Sequence, residues 1–524
     1  MHRDLRDFRD YRPAAPSPGP LVPGLFALLS IAIHAATLTS YGWFRDEFYY
    51  VACSQHLAFG YVDHPPLVAL MAWLSRHLLG ESLAALRVLP MLTGAAVVFL
   101  AGWLAREFGG GRLAQAVACL GVLAAPVYLF NFHYFSMNSF EVLLWTLAAW
   151  VVVRIVKTGD PKLWPLFGLI AGIGLQNKHS MLVFGFGIFA GLLLTPERRQ
   201  LARPWIWAGG ALAFLIFLPN LIWQASHGWP TLEFMKNAQL YKNVSLSPLE
   251  LFTAQFLNQH PLAFLVALAG LGWLLIAWAG RPYRLFGWAA LAVFAVLAAQ
   301  DSKPYYLSPV FPLLLGAGGV ALEGGFRRIP SRGLRTATAG AFLALLAGSG
   351  AALAPLALPV LPEDTYVRYA NALGVGNAGA GERHEMGRLP QHFADMHGWQ
   401  AMVDEVARVY RTLPPEDQAR ARIFAQNYGE AGAISLLGRQ YGLPPVLSGH
   451  NSYYLWGTGG WQGDLLIVLG GDEDDNRQVC KDLRRVGEVR CGDCMPYEDR
   501  NPVYICRGLD PPIDRLWPRL KNYI

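Results

Sequence analysis

Three ionisable residues in a row, Arg45, Asp46 and Glu47, directly follow the first long apolar stretch of the chain. Charge at the edge of a membrane costs free energy unless it is paired or used, so such a cluster is a candidate functional site. The other interpretation is an arginine–carboxylate pair that ends a helix at the lipid–water interface. Alone, the triplet is compatible with both interpretations.

The same loop, at about 41–83, continues to Asp63 and His64, which precede two prolines. The prolines fix the backbone and thereby hold the preceding side chains in reproducible positions. An aspartate beside a histidine can bind a metal ion or, when the imidazole is protonated, an anion. A structural hydrogen bond between the two side chains is the other interpretation.

Two further segments place a lysine near the membrane: residues 176–179 read QNKH, and residues 301–306 read DSKPYY. An ammonium group there either snorkels to the interface or binds a lipid phosphate. The two tyrosines of the second segment either anchor at the interface or stack on a sugar. Because both lysines fall on the same predicted side of the membrane as the carboxylates above, together they favour an anionic lipid ligand.

The composition indicates a membrane protein. Of 524 residues, 53% are hydrophobic and 15% are charged, whereas a soluble domain has about 25% charged residues. The 17 Trp and 21 Tyr suit a protein that crosses two lipid–water interfaces. No basic run interleaved with aromatics is present, so a nucleic-acid-binding protein is excluded.

Eleven apolar stretches predict a polytopic α-helical membrane protein. They lie near 21–40, 84–105, 113–130, 139–156, 163–177, 180–195, 205–223, 261–280, 285–299, 305–322 and 336–358. Some are shorter than the roughly 20 residues that a bilayer requires, and 163–177 with 180–195 could form one re-entrant hairpin. The first stretch lacks a small-residue cleavage site, so we expect a retained span rather than a signal peptide.

The distribution of charged residues along the chain then predicts a cytoplasmic tail at 1–20, a membrane domain at 21–360 and a soluble domain at 361–524. Alternating the spans from a cytoplasmic N-terminus leaves most lysines and arginines of the membrane domain in cytoplasmic loops, among them Arg198, Arg199, Arg203, Arg327 and Arg328. This obeys the positive-inside rule. An odd number of spans places the soluble domain in the periplasm of an inner-membrane protein.

Four cysteines cluster in the soluble domain: Cys480, Cys491, Cys494 and Cys506. The Cys-x-x-Cys spacing could hold zinc in a cytosolic protein, but an oxidising periplasm favours two disulfides. The pairing cannot be read from the sequence.

The soluble domain is α/β by pattern, because ARIFAQNYGEAGAISLLG predicts a strand and a helix, and GDLLIVLGG predicts a buried strand. Its polar and aromatic loop 448–456 is either a glycan-contacting surface or a packed turn over the membrane domain. We expect the domain to bind the acceptor. The outside loop 224–260, which contains His227, suits sugar recognition or a lid.

Five of these segments resemble the GT-C class of membrane glycosyltransferases, in particular the dolichyl-phosphate-mannose protein mannosyltransferases and the aminoarabinose (lipid A) transferases. The segments read RDEFYY, GYVDHPPL, GIGLQNKHSMLVFG, LPNLIWQASHGWPTLEF and SKPYYLSPVFPLL. Together they extend over about residues 20–320, and the first two are the more specific.

The resemblance implies roles for individual residues. Asp46 matches the family's catalytic acidic residue, with Glu47 beside it. Asp63 to Pro66 match the family's acidic-Lys-Pro-Pro element, so His64 replaces a phosphate-binding lysine and Asp63 becomes a candidate metal ligand. Asn138 lies roughly where relatives carry a second aspartate, and Glu141 could substitute for it one helical turn later.

The expected reaction is an inverting sugar transfer from a polyprenyl-phosphate carrier. Asp46 would act as general base, and the carrier phosphate would be held by His64, Lys178, His179 and Lys303. The other predicted substrate-lining residues are Arg45, Asp63, Asn138, Glu141, His227, Tyr305 and Tyr306.

The expected acceptor is lipid A or another cell-envelope glycan, with protein O-mannosylation as the alternative. The sequence identifies no cofactor other than a candidate divalent metal, and we expect a monomer in contact with membrane lipids. A transporter is the alternative from another class, but the halves of the chain show no convincing repeat and the polar clusters lie outside the spans.

Overall fold

The computed structural model describes residues 19–300, 302–376 and 382–524. The predictions for Asp301 and for residues 1–18 of the cytoplasmic tail lie outside the described residues. Within these ranges the chain is helical as far as residue 420, and the five strands of its sheet follow that point.

The helices that precede residue 360 include one for each apolar stretch predicted from the sequence. They are α1 Leu21–Ala36, α2 Arg45–Gln55, α3 Leu67–Leu79, α4 Leu83–Glu107, α5 Arg112–Ala124, α6 Pro126–Asn131, α7 Met137–Thr158, α8 Trp164–Asn177, α9 Met181–Leu193, α10 Pro204–Ser226, α11 Pro230–Asn237, α12 Pro248–Asn258, α13 Pro261–Leu275, α14 Arg284–Ala299, α15 Phe311–Arg327 and α16 Arg332–Leu353.

The predicted polytopic helical architecture is confirmed. Among the described residues, six helices are long and apolar enough to cross a membrane, and the number rises to eight if each of two bent pairs is one span. Other predicted spans are shorter than the roughly 20 residues that a bilayer requires. For example, α5 has 13 residues, because it ends at Ala124 and Pro126 starts a new helix.

The loop at about 41–83, which carries Arg45, Asp46 and Glu47, folds into the two helices α2 and α3. The carboxylate of Glu47 accepts the backbone N–H of Phe44 at 2.8 Å and so caps the first turn of α2. Helix α3 ends at Leu79 and is followed by Gly80, whose φ of 101° is accessible to glycine but strained for other residues. Asp46 is therefore held on a helix rather than on a loop.

The C-terminal part of the chain combines short helices with one mixed sheet. Its helices are α17 Glu363–Ala372, α18 Gln391–Ala394, α19 Trp399–Arg411, α20 Pro415–Arg420, α21 Tyr428–Leu437, α22 Ser452–Trp456, α23 Glu473–Val479 and α24 Ile513–Leu516. Its strands are β1 Arg422–Ala425, β2 Val446–Leu447, β3 Leu465–Leu469, β4 Cys480–Val489 and β5 Asn501–Leu509.

The strand order is β2-β1-β3-β5-β4. Strand β1 pairs in parallel with β2 and β3, and β5 runs antiparallel between β3 and β4. All five residues of β3 are buried, as the run LLIVL predicts for a central strand. The predicted C-terminal α/β domain is confirmed, whereas the domain boundary near residue 360 stays a prediction.

The four C-terminal cysteines form two disulfides, which confirms the preferred interpretation and supplies the pairing. Cys480 pairs with Cys506 and thereby joins β4 to β5. Cys491 pairs with Cys494 in the turn between the same two strands.

Candidate active site

Asp46 is partly buried in the first turn of α2. Its Oδ1 accepts a hydrogen bond of 2.8 Å from the hydroxyl of Tyr428, the first residue of α21. Burial raises the pKa of Asp46 above its ordinary value, while Arg45, Tyr428 and Lys242 partly oppose that rise. A carboxylate with a raised pKa is a better proton acceptor than an exposed aspartate.

Glu47 has a different environment from its neighbour. It is fully buried and makes a two-pronged ion pair with Arg87 of α4, with both N–O distances at 2.8 Å. Its carboxylate also accepts the backbone N–H groups of Phe44 and Phe135 at 2.8 Å. These four hydrogen bonds use its lone pairs and fix α2 to the membrane domain, so the structure gives Glu47 no path to a substrate.

Arg45 is buried between aromatic rings of the C-terminal part of the chain. Its guanidinium lies over the ring of Tyr428 at 4.7 Å and donates a hydrogen bond of 2.8 Å to the hydroxyl of Tyr497. Asp395 lies close to it, and burial raises the pKa of Asp395 to about 7. Arg45 thus links the triplet to the C-terminal domain instead of lying free in a substrate path.

A second group of charges faces Asp46. Lys303 donates a hydrogen bond of 2.6 Å to Oε1 of Glu382, and Lys242 lies 3.7 Å from the same oxygen. Burial alone would raise the pKa of Glu382, but the two lysines outweigh burial and lower it below its ordinary value. Both lysines also interact electrostatically with Asp46, so the candidate base lies within the field of these two positive charges.

Lys178 forms a third group with residues of α7. Its ammonium donates to Oδ1 of Asn138 at 2.9 Å and to Oε2 of Glu141 at 2.8 Å. It also lies 4.4 Å from the ring centre of Tyr306 and 5.7 Å from that of Tyr305. The structure therefore brings five predicted site residues together.

The predicted phosphate contact of His64 needs correction. His64 is fully buried, its Nδ1 donates to the carbonyl of Pro65 at 2.8 Å, and its Nε2 lies 3.7 Å from Sγ of Cys53. Because both ring nitrogens are engaged inside the protein, neither reaches a ligand. His64 thus has a structural role, but its ring contacts Pro65 and Cys53 rather than Asp63, so the predicted hydrogen bond between the two neighbours is also wrong.

Two other predicted residues, His179 and His227, have their side-chain contacts with residues of α10. The ring of His179 contacts Oδ1 of Asn220 at 3.3 Å. His227 is exposed at the end of α10, where its ring stacks on Trp223.

The surroundings of Asp63 do not fit a metal site. Its carboxylate accepts the hydroxyl of Tyr49 at 2.7 Å, and the neighbouring His64 is turned away into the core. Across the described ranges, the one cluster of three metal-ligating side chains is Cys491, Cys494 and Asp499, whose two sulfurs are already joined.

The loop 448–456 is a packed turn rather than an open glycan surface. Ser448, His450, Asn451, Ser452 and Tyr453 are all buried. The Oγ of Ser452 lies 2.8 Å from the hydroxyl oxygen of Tyr49 and accepts a hydrogen bond of 3.2 Å from the backbone N–H of Val62. The loop 448–456 thus packs the C-terminal domain against Tyr49 and Val62.

Four residues of the site carried no sequence motif: Lys242, Glu382, Asp395 and Tyr428. Each lies far along the chain from Asp46 and joins it only through folding. One usable signal was present, because Gly429 and Gly432 in the predicted helix after β1 indicate a close approach by another backbone. That signal could have pointed to a partner helix for α21.

Solved membrane glycosyltransferases share the fold of this chain. The structure superposes on ArnT from Cupriavidus metallidurans bound to undecaprenyl phosphate with a TM-score of 0.58 and 16% identity, covering 92% of this chain and 97% of that chain. The arabinofuranosyltransferase AftD from Mycobacteria matches with a TM-score of 0.52 and 15% identity, covering 94% of this chain and 40% of that chain. The chain has the GT-C membrane fold.

Sequence comparison also matches this chain to glycosyltransferases. Residues 63–223 match the family model for dolichyl-phosphate-mannose-protein mannosyltransferases. The lipid A galacturonosyltransferase RgtD of Rhizobium johnstonii is 23% identical over 289 residues, which is 53% of this chain. That alignment spans 60% of the relative. The resemblance to this glycosyltransferase superfamily, inferred from the motifs, is confirmed.

Proposed function

We propose that the protein is an inverting glycosyltransferase that moves a sugar from a polyprenyl-phosphate carrier to an acceptor of the cell envelope, with lipid A favoured. The observation that carries the proposal is the environment of Asp46, a partly buried carboxylate held by Tyr428 and faced by Lys242 and Lys303. The similarity to a lipid A galacturonosyltransferase and to a structure that holds undecaprenyl phosphate supports this choice.

The chemistry needs one base and one cationic clamp. Asp46 accepts the proton of the acceptor hydroxyl as its oxygen forms a bond to the anomeric carbon. The bond from that carbon to the phosphate oxygen breaks, and the electron pair leaves with the polyprenyl phosphate. A single displacement inverts the anomeric centre, so one carboxylate suffices and the uncharged Asn138 is no obstacle.

The clamp consists of Lys178, Lys303 and, as an addition to the sequence-based set, Lys242. Positive charge next to the departing phosphate stabilises the charge that develops there. Lys178 contacts Glu141 and Lys303 contacts Glu382 in this structure, so a bound phosphate shares or displaces these carboxylates. Tyr305 and Tyr306 lie beside Lys178, where they suit the sugar or the carrier chain.

We assign Glu47 and Arg45 to the positioning of α2 rather than to contact with the substrate. Both are buried, and each is fixed by partners from other elements. His227 and the helices α11 and α12 of the outside loop remain candidates for sugar recognition or a lid. The protein would act as a monomer in the inner membrane, with its N-terminus in the cytoplasm and its C-terminal domain in the periplasm.

Protein O-mannosylation is the second candidate, because the matching family model over 63–223 is that of protein mannosyltransferases. The two candidates share the donor class and the base. They differ in the acceptor, so the same assay separates them.

The test is sugar transfer by the purified protein from a panel of synthetic polyprenyl-phosphate sugars, with lipid A or a serine- and threonine-containing peptide as acceptor. We expect transfer to lipid A, and a loss of at least about 100-fold for Asp46→Asn, because the base is removed. Transfer to the peptide alone would favour the second candidate. An Asp46→Asn variant as active as the wild type would refute the assigned base, and no transfer from any donor would refute the class.

A further inference from the structure

Helix α2, which carries Asp46, packs against the membrane domain with one face and against the C-terminal domain with the other. On the first face, Tyr50 and Val51 pack with Leu86 of α4 in one buried cluster. On the second face, Phe48 is fully buried in a cluster with residues of β1, β3 and β5. The residue that follows Phe48, Tyr49, packs with Tyr428 of α21. Part of the C-terminal core therefore packs directly on the helix that carries the candidate base.

The approach of α21 to α2 is close enough to require glycine. A Cβ atom added to Gly432 would lie 2.7 Å from Cβ of Phe48 and 3.0 Å from its backbone carbon. One added to Gly429 would lie 2.7 Å from Cγ of Arg45. This backbone contact brings the start of α21, and hence Tyr428, against the first turn of α2.

Tyr428 then makes two contacts with the ionisable triplet. Its hydroxyl donates to Oδ1 of Asp46, and its ring lies under the guanidinium of Arg45. Among the described residues, no other hydrogen bond to the Asp46 carboxylate is formed, so Oδ2 stays available for the proton of an acceptor. Arg45 is held in turn by Tyr497 and lies near Asp395.

We infer that the C-terminal domain is part of the catalytic unit, in which Tyr428 is a positioning residue that orients the Asp46 carboxylate. This inference rests on the proposed function and changes the role expected for the domain, which was acceptor binding. Hydroxyl donation to one carboxylate oxygen fixes the rotation of the group and stabilises its charged form. The charged groups that also face Asp46 are Arg45, Lys242, Lys303, Glu382 and Asp395.

The test compares Tyr428→Phe with Tyr453→Phe in the full-length protein. Tyr453 is a matched control, because it is a buried tyrosine of the same domain whose ring stacks on Tyr49 of α2. We expect Tyr428→Phe to lower kcat about tenfold, the effect of losing a hydrogen bond to a charged group, with little change in KM for the donor. The acid limb of its pH–kcat profile moves to higher pH, because the hydroxyl no longer favours the ionised carboxylate. We expect Tyr453→Phe to keep the wild-type pH profile.

A thermal-unfolding cycle with Asp46→Asn, Tyr428→Phe and the double variant needs no substrate. Non-additive unfolding free energies are expected, because the two side chains contact each other. Additive effects, an unchanged pH profile in Tyr428→Phe, or an equal shift in Tyr453→Phe would overturn the inference. A wild-type protein that transfers no sugar while the cycle is non-additive would refute the proposed function and leave the Asp46–Tyr428 coupling intact.

Discussion

At the scale of single residues, Asp46 and Glu47 are neighbours on α2 with opposite surroundings. Successive residues of a helix are about 100° apart around its axis. This rotation turns Asp46 toward Tyr428 and the lysines, while Glu47 enters the membrane domain and meets Arg87. Asp46 therefore keeps one carboxylate oxygen free to accept a proton, whereas both oxygens of Glu47 are hydrogen-bonded within the protein.

This difference predicts that Glu47→Gln destabilises the fold more than Asp46→Asn does. Loss of one partner of a buried ion pair costs about 3–5 kcal/mol, because Arg87 is left as an uncompensated buried charge. Thermal unfolding of the purified variants in detergent measures the effect. Asp46→Asn is the matched control, and it should lower the unfolding temperature less than Glu47→Gln does while losing transfer. Equal unfolding temperatures for the two variants would contradict the assignment.

At the scale of elements, the contact between α2 and α21 decides whether the base is correctly held. We predict that Gly432→Ala lowers both thermal stability and transfer, because the added Cβ meets Phe48. Gly340→Ala on α16 is the control, since nothing lies within 4 Å of a Cβ added there. Unfolding temperature and kcat of the two variants measure the effect. If Gly432→Ala behaves like Gly340→Ala, the two helices are not in functional contact.

At the scale of the whole molecule, the proposed mechanism requires Asp46, Lys303 and the C-terminal domain on the same side of the membrane. The asymmetry of basic residues predicts that this side is the periplasm. We therefore expect alkaline phosphatase fused after Ile524 to be active, because it folds only outside the cytoplasm. A fusion after Asp160, between α7 and α8, should be inactive. The reverse pattern of enzyme activity in whole cells would refute the orientation.

The sequence by itself determined the class of fold and the region of the site. Its apolar stretches all became helices, its C-terminal strand and helix patterns became β1, α21 and β3, and its four clustered cysteines became disulfides. These features can be predicted because hydrophobic periodicity and residue spacing are properties of contiguous segments of the chain. The motif around Asp46 was likewise visible in the sequence.

Only the tertiary structure decided which side chains share the site. Tyr428 lies 382 positions from Asp46 and Glu382 lies 79 positions from Lys303, and such distant pairs leave no local pattern. Burial decided which predicted residues can reach a substrate. His64 resembled a phosphate ligand in the sequence, but it is buried and both of its ring nitrogens contact protein atoms. Glu47 is buried in an ion pair with Arg87. Residue type and spacing give the chemistry that a side chain can perform, whereas its partners in space fix whether it is free to do so.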